Sequence, residues 1–249
     1  MSTPPTGQVE TVRIEGVRIP LDPALMSEPI LASLRAGKYE RSEARRLPAM
    51  IDAGERLVDL GGGVGFTSTL AALQGRAELV VCLEGNPDLL PLIEATHRLN
   101  GVRVLVRNAV IAPVRTTATV PFYVHRDLWA SSLLPIKAAD LARVAEVAVV
   151  TFQDLLAEFA PTMLIMDIEV LREFLAPGAG GAGDGLAAMR LDGVRKVVVE
   201  LHPRHLDAAL TQRVFEAFAA QGFHPDPDHS SGTIVLFRRA HAFFSDPGP

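Results

Sequence analysis

The stretch RLVDLGGGVGFTSTLAAL, Arg56 to Leu73, decides the fold. RLVDL is a short apolar run carrying an aspartate near its end, the pattern of a strand buried on both faces. Gly61, Gly62, Gly63 and Gly65 then interrupt it as a tight turn does. From Phe66 to Gln74 the apolar residues return at helical spacing. A strand, a glycine turn and a helix in that order open an α/β unit. In an open parallel sheet, ligands sit beyond the carboxyl ends of the strands, so this turn is the first place to look for a binding site. Glycines there let the backbone approach a ligand and let the next helix begin close to the sheet.

The unit repeats downstream. ELVVCLE (78–84), VRVLVRN (102–108), MLIMDIE (163–169) and KVVVELH (196–202) read as strands, and Pro87–Leu99 as a second crossover helix. Consecutive strand–helix–strand units imply parallel pairing with helices on both faces. The expected fold is therefore α/β, a doubly wound, mostly parallel sheet of Rossmann-like type. Between the third and fourth strands lies an insert, with a strand at ATVPFYVH (118–125), a loop at WASSLLP (129–135) and a helix at TFQDLLAEFA (151–160). A helix over LDAALTQRVFEAFAAQG (206–222) and a last strand GTIVLFRR (232–239) follow. Upstream, VETVRIEGVRIPL (9–21) alternates like a hairpin turning near Gly16. Residues 27–51 have helical spacing broken around Gly37. The boundaries that follow are a disordered tail at 1–8, an N-terminal extension at 9–52 and one ligand-binding domain at 53–243. The segment GAGGAGDG (178–185) reads as a surface insertion, with a lid over the site as the alternative.

Composition narrows the function classes. With 48% hydrophobic residues among 249, the chain has material for a sizeable core. A net charge of −5 argues against nucleic acid as a partner through bulk electrostatics. No apolar segment is long enough to span a bilayer, and MSTPPTGQVE lacks the basic and apolar regions of a signal peptide. Cys82 is the single cysteine, which excludes an internal disulfide and fits a reducing compartment. A soluble, cytoplasmic protein is expected. Its oligomeric state is left open, a homodimer included.

The turn does not fit a dinucleotide fingerprint. G-x-G-x-x-G would require glycine where Phe66 or Ser68 stands. The pattern present is Asp59, Gly61, Gly63, Gly65. An aspartate at the tip of the first strand is a poor neighbour for a pyrophosphate. It suits a ligand with positive charge, such as the ammonium and sulfonium of S-adenosylmethionine. Glu84 ends the second strand, where a carboxylate can accept both hydrogen bonds of a ribose diol. Asn108 closes the third, where its amide could face the adenine edge.

The segments YERSE (39–43), VDLGGGVGFTS, CLEGNP, RNAVI, TFQDLL, MDIE and VELHP, in this order, resemble the FkbM family of S-adenosylmethionine-dependent methyltransferases. The resemblance runs from about Gly37 to Pro203. It implies a seven-stranded class I methyltransferase sheet with an antiparallel last strand. It also implies methylation of a hydroxyl, often on a sugar or natural product, so the implied partner is a small hydroxylated acceptor. The chain departs from the family at Met166, where a lysine usually precedes the fourth-strand aspartate, and at Val170, where a glycine usually follows the glutamate.

Methyl transfer from a sulfonium is an in-line displacement, so the acceptor oxygen must be held against the methyl carbon and a nearby base helps. MDIEV brings Asp167 and Glu169 to the end of the fourth strand on one side. VELHP brings Glu200 and His202 to the end of the fifth. His202 is the better base by its ordinary pKa, while Asp167 could orient the acceptor or the cofactor's ammonium. The plainer reading has these carboxylates capping helices or pairing with Arg172, Arg195 or Arg204. Their spacing matches no dedicated metal-ligand pattern, so no metal is expected. His125, Trp129, Ser131 and Ser132 could line an acceptor pocket or simply pack. The competing functions are a nicotinamide-dependent oxidoreductase and a non-catalytic cofactor-binding protein of the same fold.

Overall fold

The computed structural model describes residues 9–127, 131–133, 135–167, 189–201 and 208–240. The expected tail 1–8, Trp129, the glycine-rich insertion 178–185, Glu169, Val170, Arg172, His202 and Arg204 lie outside the described residues.

Alternation in the N-terminal segment gives β1 (Thr11–Ile14) and β2 (Val17–Pro20), which pair antiparallel as a sheet of their own. Helices α1 (Glu28–Arg35) and α2 (Arg41–Met50) follow, separated at Gly37 as the spacing indicated. Then come β3 (Arg56–Leu60), α3 (Phe66–Leu73), β4 (Leu79–Glu84), a 3-10 turn at Pro87–Leu89, α4 (Leu90–Asn100) and β5 (Leu105–Ile111). The insert supplies β6 (Thr119–His125), β7 (Leu141–Val150) and α5 (Phe152–Phe159). The chain continues with β8 (Met163–Asp167), β9 (Lys196–Glu200), α6 (Ala208–Ala219), β10 (Phe223–Pro225) and β11 (Ile234–Arg239).

Among the described residues the central sheet has the order β10-β11-β9-β8-β3-β4-β5-β7-β6. β5, β4, β3, β8 and β9 pair parallel, and β11 pairs antiparallel with β9. Seven of these strands make the expected mostly parallel sheet with its late antiparallel strand. The other two are the correction. The sheet has nine strands because β7 adds parallel to β5 and β6 folds back antiparallel on β7. The same addition lengthens β5. Its last residues, Ala109–Ile111, pair with Ala148–Val150, so Asn108 stands inside the strand and not at its end.

Alternation divides the core into two faces. On one, Leu57, Phe66, Leu70, Cys82 and Ile93 share a cluster with Ile14, Ile19, Ile30, Leu34, Leu47 and Met50 of the N-terminal segment. On the other, Val58, Leu60, Val81 and Leu164 pack with Phe152 and Phe159 of α5 and Val214 and Phe218 of α6. Both faces are covered, which is why the central strands are nearly all apolar. The N-terminal segment is thus part of the main core and forms a wall beside the end of β3.

At the opposite, amino-terminal edge of the strands, Lys196 is 3% exposed. Its Nζ lies 2.6 Å from Asp52 Oδ2, 2.6 Å from Glu55 Oε1 and 2.7 Å from the carbonyl of Met50. This knot ties the end of α2 to β9.

Candidate cofactor-binding site

The carboxyl ends of β3, β4, β8 and β9 meet along one edge. The turn after β3 is folded onto β4, with the amides of Gly61 and Gly62 both donating to the carbonyl of Leu83 at 3.0 Å. Gly61, Gly63 and Gly65 have φ of 111°, 52° and 76°, a region that side-chain-bearing residues rarely adopt. Gly62 is required for a different reason: a Cβ there would stand 2.5 Å from Cys82 Sγ. Gly65 then starts α3 as its N-cap.

Asp59 lies beneath this turn on the face shared with α3, 2% exposed. Burial raises its carboxyl well above the ordinary 3.8, the charges of Glu40 and Glu84 raise it further, and hydrogen bonds from the Ser68 amide and hydroxyl oppose the rise. Its Oδ2 is buried and has no hydrogen-bond partner among the described residues. Ser68 Oγ is also 3.1 Å from His97 Nε2, and burial lowers that imidazole to about 4. His97 is therefore neutral at neutral pH and does not offset the acid charge.

Glu84 is placed at the end of β4 as expected, but its oxygens already have work. Oε2 accepts from the Gly63 amide at 2.9 Å and Oε1 from the Asn86 amide at 2.6 Å. The glycine turn is wrapped on this carboxylate, which burial pushes above its ordinary value and these amides pull back. A ribose diol would have to share those oxygens. Asn86 caps the 3-10 turn through its Oδ1, 3.0 Å from the Asp88 amide, and its own Nδ2 is buried with no partner among the described residues. Asn108 Nδ2 donates to the carbonyls of Glu84 and Gly85 at 2.8 and 3.1 Å. What Asn108 can offer a ligand is its oxygen, an acceptor.

A cleft opens beside Asp59, about 560 Å³ of empty space including some open to solvent. Glu40, Asp59, Gly61, Thr67 and Glu200 supply its polar lining, and Leu47, Met50, Leu60, Ile165, Met166, Val198 and Ile234 its apolar one. Asp167 stands level with Glu200 in the β8–β9 register, so the backbone brings these two sequence candidates together at the cleft edge. Glu169 and His202 lie outside the described residues. Arg195 is engaged with Glu55 at 3.3 Å, far along β9 from Glu200. In the insert, Ser131 Oγ accepts from the His125 amide at 3.0 Å, and His125 Nδ1 accepts from the Asp127 amide at 2.8 Å. The residues of α2 and its approach, Glu40 above all, were not identified from sequence. Tyr39 and Glu40 belong to the YERSE motif, but no periodicity indicates that a residue sixteen positions before β3 returns to its tip.

No family model matches the sequence, and no curated protein is similar to it. The resemblance to the FkbM family therefore rests on the motifs alone. Solved structures are similar to it. The tRNA (uracil-54, C5)-methyltransferase of Pyrococcus abyssi in complex with S-adenosyl-L-homocysteine matches with a TM-score of 0.50 and 11% identity. That match covers 92% of this chain and 43% of that one, so the chain spans less than half the length of that enzyme. The ribosomal protein L11 methylase of Lactobacillus delbrueckii subsp. bulgaricus gives 0.46 and 13% over 82% of this chain and 80% of that one. TYW2 of M. jannaschii in complex with AdoMet gives 0.44 and 12% over 93% and 87%. The chain has the Rossmann-like fold of the class I S-adenosylmethionine-dependent methyltransferases.

Proposed function

We propose that the chain is an S-adenosylmethionine-dependent methyltransferase, of FkbM type, that methylates a hydroxyl group on a small molecule. One observation carries this reading: Asp59, which lines the cleft beneath a glycine turn, has a buried carboxylate oxygen without a partner among the described residues. A buried carboxylate without a partner is costly to ionise, and a cation standing at that oxygen would offset the cost. The residues present fit the cofactor. Asp59 accepts from its ammonium, and the main chain of Gly61 and Gly63 leaves room for its close approach. Glu84 accepts from the ribose hydroxyls on lone pairs not taken by Gly63 and Asn86. Asn108 accepts from the adenine amino group. When bound, the cofactor supplies an electrophilic methyl group.

The acceptor would then stand at the ends of β8 and β9. Asp167 and Glu200 orient its hydroxyl there, and His202 takes the proton as the oxygen attacks. The apolar lining from Ile165, Met166, Val198 and Ile234 keeps water from the reacting pair. Among the described residues no helix is long and apolar enough to cross a membrane.

The test is incubation with methyl-labelled S-adenosylmethionine and a library of polyols and hydroxylated metabolites. Label recovered as a base-stable ether, weakened in His202→Ala with cofactor affinity unchanged, is the expected result. Binding without transfer to any acceptor would favour the cofactor-binding protein, and binding of NADH in place of the thioether would overturn the reading.

A further inference from the structure

One acidic residue of the cleft that holds Asp59 comes from outside the sheet. Glu40 lines the same cleft as Asp59, Gly61 and Thr67, and its Oε2 accepts from Thr67 Oγ1 at 2.8 Å in the first turn of α3. Its backbone is left-handed, with φ 41° and ψ 34°, directly before α2. A residue in that position normally has an extended backbone and turns its side chain back to cap the helix. Glu40 does neither, since no side-chain cap is made.

The other left-handed side-chain-bearing residues among those described have local reasons. Glu15 forms the β1–β2 turn with Gly16, and Ala160 closes α5. At Glu40 glycine would meet the backbone demand more easily, so the demand does not account for a glutamate. Strain of this kind gathers at binding sites. Tyr39 anchors the kink. It is buried, stacks edge-on against Phe66 at 5.7 Å, and its hydroxyl lies 3.1 Å from where a Cβ on Gly63 would be. The approach to α2 is therefore pressed onto the glycine turn and carries a carboxylate over it.

We propose that Glu40 is a second carboxylate of the cofactor site, lining the same cleft as Asp59, whose buried oxygen has no partner among the described residues, so that the two hold the amino-acid ammonium of S-adenosylmethionine between them. This rests on the cofactor reading above. An ammonium has three donors and is best held by more than one acceptor. The mutual repulsion of the two carboxylates, which contributes to the raised pKa of Asp59, is relieved when a cation stands between them. The N-terminal segment thereby becomes part of the binding site and not only its wall.

The experiment compares two thioether nucleosides by calorimetry: S-adenosylhomocysteine, which carries the amino acid, and 5′-methylthioadenosine, which lacks it. Wild type is expected to bind both. Glu40→Gln should weaken S-adenosylhomocysteine about tenfold or more, the scale of a charge-assisted hydrogen bond, and leave methylthioadenosine unchanged. Glu40→Gly should show the same selective loss while melting no lower than wild type, because the backbone strain is relieved. Equal loss for both ligands would mean that Glu40 only shapes the turn, and no loss for either would mean that it is not in the site. Each of these overturns the proposal. A wild type that binds neither ligand overturns the cofactor reading itself, and Glu40 with it.

Discussion

Replacing Asp59 by asparagine should make the ligand-free protein more stable. The side chain keeps its shape and the oxygen that accepts from Ser68, while the unpartnered Oδ2 becomes an amide nitrogen. What disappears is a charge that is 2% exposed and repelled by Glu40 and Glu84. The amide nitrogen stays as unpartnered as the oxygen it replaces, so the gain is the excess cost of a charged over a neutral unsatisfied group, about 1–3 kcal/mol where Asp59 is ionised. In a chain of this size each kcal/mol moves Tm by about 2–4 °C, so Asp59→Asn should melt about 2–12 °C higher near pH 8. The sign with pH follows from the raised carboxyl. Its contribution to stability is fully present below its unfolded value of 3.8 and is lost as pH rises through the folded value. Near pH 4 the wild-type carboxyl is protonated and neutral, and the two proteins should have nearly equal stability. Urea unfolding followed by circular dichroism near both pH values measures the difference. An asparagine variant less stable than wild type near pH 8, or a gap that does not change with pH, would refute the idea of an unpartnered buried charge.

Other consequences can be checked by the same unfolding assay. Gly62→Ala should cost about 1–3 kcal/mol through overpacking, since its Cβ would stand 2.5 Å from Cys82 Sγ. Adding Cys82→Ala should return part of that loss, and strict additivity in the double variant would show that the sulfur is not the obstacle. Lys196→Met should cost about 3–5 kcal/mol by leaving the fully buried Glu55 without its closest cation, and Glu55→Gln in the same chain should recover some of it. His97, lowered from 6.5 to about 4 by burial, is uncharged in the folded protein. Its contribution is present above about pH 6.5 and lost as pH falls toward 4, worth about 2–3 kcal/mol. His97→Gln should flatten that part of the stability–pH curve, and an unchanged slope would place the acid sensitivity elsewhere.

Glu84 shows why Asp59 is the better probe of binding. Both carboxylates were singled out from their positions at strand tips, and both are there. But Glu84 holds the turn together through Gly63 and Asn86, so its removal would weaken binding even if it never touched a ligand. Strand-end logic gives a residue's location and not its existing bonds. The same limit applies to Asn108, whose amide clips the end of β4.

The sheet was legible wherever strands were buried on both faces, because continuous Val, Leu and Ile runs between helical segments leave few alternatives. β7 was not recognised. LARVAEVAVV alternates only from Ala145 onward, with small residues at its buried positions and an exposed Val144. A helix rich in alanine and valine would give a similar run, and only its pairing with β5 distinguishes the two. β10, three residues long, is below what alternation can reveal. The cleft wall from α2 was illegible for another reason: the return of Glu40 to the tip of β3 is a long-range contact, set by the packing of Leu47 and Met50 on the shared core.

A crystal structure of the protein grown with S-adenosylhomocysteine tests the central assignment most directly. The nucleoside should lie along the glycine turn, with its ammonium within hydrogen-bond distance of Asp59 Oδ2 and its sulfur directed toward the ends of β8 and β9. Density for the ligand elsewhere, or a cleft filled by side chains with Asp59 still unpaired in the presence of saturating ligand, would contradict it.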